Sequence, residues 1–150
     1  MTTPCREQIA VAVKAVLAGI TGVTGLAVER DRVSALEADD LPRLILYEAE
    51  EAGESAFTGE DGYLLSVDIE GFAGGAAEDA AASALATLRA KVDQAMLADQ
   101  TLGGLIRTMS LGEEPEDSPL ELASSAPAKW FTRSFVLEYA TAEGDPFTFA

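Results

Sequence analysis

Apolar and polar positions recur along this chain in two rhythms, and the change from one to the other marks its elements. Ile9, Val13, Val16, Leu17 and Ile20 fall three or four residues apart, which predicts a helix with one buried stripe. Thr3 can cap it, Pro4 suits its first position, and Glu7 complements the positive end of its dipole. The run from Gly19 to Gly25, GITGVTG, closes the helix and opens a loop. Leu26, Val28 and Val33 form a short extended stretch, and Asp39, Asp40 and Pro42 mark a turn. Leu44-Ile45-Leu46-Tyr47 is apolar on both sides, as an interior strand is. Tyr63, Leu65, Val67 and Ile69 alternate with Leu64, Ser66, Asp68 and Glu70, which predicts a half-buried strand.

Gly74 and Gly75 lead back to helical spacing, with Ala81, Leu85, Leu88, Val92 and Met96 on one face and an end near Asp99. Leu105 to Leu111 reads as a strand. Trp130 to Tyr139 reads as a longer one, with Phe131, Arg133, Phe135, Leu137 and Tyr139 on one face. Two segments carry no such rhythm. Glu48 to Asp61 is acidic and glycine-containing, with Phe57 as its one large apolar residue, and is expected to be a long mobile hairpin loop. Glu113 to Pro119 is a charged loop with two prolines. Strands and helices do not alternate regularly. The expectation is therefore an α+β fold: a mainly antiparallel mixed sheet with two helices packed on one face, in a single domain over residues 1–150.

Charge narrows the partners. The net charge of −16, with ten lysines and arginines, repels phosphate backbones and argues against sequence-specific nucleic-acid binding. No apolar run approaches membrane-spanning length, and the first residues lack a signal-peptide pattern, so a soluble protein made in the cytoplasm is expected. Cys5 is the one cysteine, so no internal disulfide exists.

Candidate chemistry is sparse. There is no histidine, which removes Ser-His-Asp and Cys-His arrangements and most zinc sites. Cys5, near a helix start, is read as a small buried side chain. The run from Gly71 to Ala81, GFAGGAAEDAA, has the outline of a phosphate-binding turn, but no Lys-Ser or Lys-Thr follows. Glu78 and Asp79 already occupy the first helical turn, where they would repel an anion. Neither Asp39-Asp40 nor the acidic run has the spacing of a calcium loop or a paired acid and base. No catalytic residue, metal site or cofactor is assigned. Arg133 stands among apolar neighbours, either reaching to the sheet margin or paired at a subunit contact.

Taken in order, the leading helix, VERDRV (Val28 to Val33), LPRLILY (Leu41 to Tyr47), a strand before an Ala/Leu-rich helix, LADQTLGG (Leu97 to Gly104) and the terminal LEYATAEGDP (Leu137 to Pro146) form a layout. It resembles the tail terminator proteins of long-tailed phages and phage-like particles such as gene transfer agents, the family of the lambda-type minor tail protein U. The resemblance spans most of the chain. It implies an α+β structural protein, not an enzyme, that needs no cofactor. Such a protein forms a homo-oligomeric ring, six-membered in the family, at the head-proximal end of the virion tail. The ring stops growth of the tail tube and joins it to the head connector or stopper protein.

On that reading Tyr139 to Pro146 ends the last strand, and its tail lies against a neighbouring subunit. Asp145-Pro146 would stop pairing, and Phe147 and Phe149 would seek a partner surface. The other reading is a plain strand exit. The candidate subunit interface is Arg133, Tyr139, Thr141, Asp145, Pro146 and Phe147. The candidate loop contacts are Glu50, Glu51, Glu54 and Phe57, which would order on meeting a neighbour or the tube. Two other functions stay open: another head-tail or tail completion protein, and a small-molecule binding module with its ligand between sheet and helices.

Overall fold

A computed structural model describes residues 3–54, 59–112, 116–120 and 127–150. The first helix, α1, spans Cys5–Ala18 and buries Cys5, Ile9, Ala10, Val13 and Leu17. Pro4 is its cap residue, and no side chain caps it. Thr3 does not cap the helix as expected; its carbonyl accepts a bond from the Gln8 side chain at 2.9 Å. Strand β1 is short, Ala27–Arg30, and a single 3-10 turn at Ala38–Asp40 precedes β2, Arg43–Glu54. Strand β3, Glu60–Gly74, pairs antiparallel with β2. Helix α2, Glu78–Ala98, buries the predicted stripe from Ala81 to Met96. The remaining strands are β4 (Thr108–Leu111), β5 (Glu116–Leu120), β6 (Ala128–Ala142) and β7 (Asp145–Phe149).

These strands form one seven-stranded sheet in the order β1-β2-β3-β6-β4, with β5 and β7 also paired to β6. Only β1 and β2 run parallel. Strand β6 is the spine. On one side it pairs with β3 along its whole length, and on the other it carries β7, β4 and β5 in succession. The core lies between one sheet face and both helices: Leu44, Leu46, Leu65, Val67, Ile69, Phe131, Phe135 and Leu137 meet the stripes of α1 and α2. The α+β architecture with two helices on one face of a mixed, mostly antiparallel sheet is thus present.

Three local expectations are corrected, and the first is the charged loop Glu113 to Pro119, because Glu116–Leu120 is strand β5 paired to β6. The acidic segment 48–61 is not a loop throughout, because residues 48–54 belong to β2 and 60–61 to β3, paired across the hairpin. Phe57 lies outside the described residues. The terminal stretch is not a strand exit either. The chain turns at Glu143 and Gly144, where Gly144 takes φ 73°, and β7 folds back on β6 with Thr141 opposite Phe149. Asp145-Pro146 therefore opens a strand and does not end pairing. Pro146 fits there because β7 is an edge strand, where a missing N–H costs no ladder bond.

Candidate functional site

The polar groups that face the helices form a connected lattice. Glu48 and Glu51 project from β2 toward α1 although both are charged. Arg6 reaches Glu48 at 3.3 Å and Glu51 at 3.7 Å. Arg30 of β1 donates two bonds to Glu7, 2.8 and 2.9 Å, and one to Glu48, 2.6 Å. The Tyr139 hydroxyl donates to Glu51 at 2.7 Å. The lattice ties the first turn of α1 to β1, β2 and β6. Bonding to Arg30 holds the Glu7 carboxyl below its ordinary range, and bonds to Glu7 and Glu48 push Arg30 further up. Burial first, then the bond to Glu51, raises the Tyr139 hydroxyl. Tyr139 also stacks on Tyr63, centroids 5.1 Å apart, and meets the edge of Phe149 at 6.5 Å.

Arg133 does not reach out to the sheet margin, and its charge is paired within its own chain. Its side chain is 12% exposed, and the guanidinium donates to both carboxylate oxygens of Asp93 on α2, at 2.9 and 3.2 Å. Tyr139 and Thr141 are buried within the chain. Of the six interface candidates, Pro146 and Phe147 are the surface-exposed ones. Asp145 is half-buried and accepts a bond from the Phe147 backbone N–H at 3.0 Å. Among the loop candidates, Glu50, Glu51 and Glu54 are strand residues, and Glu51 is bound to Arg6 and Tyr139.

The glycine-rich run before α2 is a packing device. A Cβ on Gly71 would stand 2.2 Å from the Phe131 ring, so this glycine makes room for a buried aromatic. Gly75 is also tight, against the first turn of α2, where a Cβ would stand 2.7 Å from Ala81 N. Among the described residues no group of three or more acids and cysteines is placed to hold a metal ion. No helix among them is long and apolar enough to cross a membrane.

Beyond these lie the sheet edges, exposed Val11 on α1 and Leu97 on α2, a cavity of about 430 Å³ among Leu85, Asp93 and Lys129, and a larger one. Strand β1 bounds one edge, and Val33 just beyond it is fully exposed. Strands β4, β5 and β7 bound the other, where Leu111 is 48% and Phe147 43% exposed. The larger cavity, about 550 Å³, opens among Val23, Leu41, Pro42, Ala84, Leu88 and the Gly74-Gly75 turn. Its polar side chains are the hydroxyls of Thr24, Ser83 and Thr87, and no charged side chain among the described residues lines it. Sequence periodicity does not reveal this cavity, because it is assembled from loops and a helix far apart in the chain. The run of small residues around Gly74 and Ala84 is its one local sign.

No family model matches this chain, and no curated protein does. A chain from the structure titled "Virion of native gene transfer agent (GTA) particle" is similar to it over 90% of both chains, with a TM-score of 0.43 and 12% identity.

Proposed function

We propose that this chain is a structural virion protein that caps the head-proximal end of a tail tube as a ring and joins it to the head connector. The observation that supports this most is the pair of unlike sheet edges. A ring closes when one patch of each subunit meets a different patch of the next. Here β1 with Val33 stands at one edge, and β4 and β7 with Leu111 and Phe147 stand at the other. Exposed apolar residues at two non-equivalent places suit head-to-tail contacts better than a two-fold dimer. The α+β architecture matches the one that the terminator resemblance implies. In this reading the chain is not an enzyme and takes no cofactor. Its partners are five further copies, the tube protein and the connector.

Negative-stain microscopy of concentrated protein, with light scattering for mass, tests the ring. Closed six-fold rings are expected, alone or on the ends of purified tail tubes. A chain that stays monomeric and does not bind tube ends overturns the proposal. The second reading, a small-molecule binding module, draws on the cavity with its three hydroxyls.

A further inference from the structure

The cavity and the exposed aromatic stand at opposite ends of the sheet. Gly74, in the cavity wall, pairs with Ala128 at the start of β6, and Phe147 lies on β7, which pairs at the far end of β6. The strand between them is on the order of 40 Å long. Phe147 therefore cannot fill the cavity of its own chain.

The cavity has a cation at its rim, Lys91, beside the exposed acids Glu37 and Asp39, and the hairpin that carries Phe147 is acidic. Thr87 and Leu88 line the cavity, and Lys91 follows one turn along α2 on the same face. Its Nζ lies 3.0 Å from where a Cβ on Gly22, another cavity residue, would stand. No ion pair is formed by Lys91 among the described residues, whereas Arg6, Arg30, Arg32, Arg43, Arg107 and Arg133 are all paired. Phe147 follows Glu143 and Asp145 in its hairpin. On a chain of net charge −16, an apolar cavity with a cation at its rim is a place where another copy's acidic hairpin can approach with less repulsion.

We propose that this cavity receives Phe147 from the C-terminal hairpin of a second copy, with Lys91 facing Glu143 and Asp145 beside it. The contact joins two different patches, so it is heterologous and propagates from subunit to subunit. It rests on the ring reading and makes the cavity, in place of the β1 edge, the patch that meets Phe147. An aromatic anchor in an apolar pocket with a charged rim is the usual centre of binding energy in such contacts.

Site-directed cross-linking tests it in the full chain, whose Cys5 is fully buried. Thr87→Cys and Thr148→Cys place thiols at the cavity and beside Phe147, both on exposed positions. Thr148 points to the opposite face of β7 from Phe147, so a flexible bis-maleimide is used, and the mixed variants should give a cross-linked pair that neither gives alone. Adding Phe147→Ala to the Thr148→Cys chain should weaken this association roughly 30-fold or more. Lys91→Glu should weaken it too, and Glu143→Lys on the partner should restore it. Wild-type rings with no cross-link between the mixed variants would overturn this contact and leave the ring standing. Neither rings, cross-links nor binding to tube ends would overturn both. Shielding of the Thr87→Cys thiol by tail tubes alone, without a cross-link, would assign the cavity to the tube protein and overturn the contact between copies.

Discussion

Single residues carry several of the fold's constraints. Gly71→Ala inserts a methyl group into the ring of Phe131 and should destabilise the chain by about 1–3 kcal/mol, read from denaturant unfolding. Phe131→Leu in the same chain should recover part of that loss, which separates overpacking from a backbone effect. Asp93→Ala strands the guanidinium of Arg133 under α2 and should cost about 1–3 kcal/mol. Arg133→Met in the Asp93→Ala background should recover most of it, because no buried charge then remains. Glu70 differs from the paired carboxylates: burial first, then the charge of Asp68, raises its pKa. Its folded form therefore favours the proton, and ionisation at neutral pH costs stability. Glu70→Gln should raise the melting temperature at pH 7 and change little below pH 4.

Among the elements, α1 is held by charge as well as by its apolar stripe. Glu7 has its pKa lowered by Arg30, so its contribution is complete above the ordinary carboxylate range and is lost as pH falls through the lowered value. Glu7→Gln should lower stability at pH 7 and flatten the acid limb of a melting-temperature profile. Hydrogen exchange in α1 should report the loss first. Periodicity made both helices, β3 and β6 legible in the sequence, because each has one face in water and one in the core. It failed for β2 beyond Tyr47. Glu48 and Glu51 point at the helices, and they are neutralised by Arg6 and Arg30, distant in sequence. A charged strand whose partners are remote reads locally as a loop. Periodicity failed again at β7, where Glu143-Gly144 is a hairpin turn and Phe147 and Phe149 alternate with their neighbours. The interface candidates divide for the same reason: exposure of Phe147 follows from its edge strand, and burial of Tyr139 and Thr141 follows from β7 folding over them.

The net charge of −16 sets the conditions under which complete chains can assemble. Copies repel one another over distances that salt screens, with a Debye length of about 10 Å at 0.1 M and about 3 Å at 1 M. Ring formation should therefore rise with ionic strength, and sedimentation velocity from about 0.05 to about 1 M salt should show a growing oligomer fraction. Rings that dissolve in high salt would mean that charge pairs dominate the contact instead. The position of β6 has another consequence, in the timing of synthesis. The strand that binds β3, β4, β5 and β7 together is made after all of them but β7. A ribosome needs roughly 3–14 s to travel from the end of β3 to the end of β6, and for that interval the edge of β3 has no strand to pair with. The nascent chain is thus kept from presenting a finished assembly edge until its spine has emerged, and a chaperone that covers the unpaired edge of β3 would act in that window.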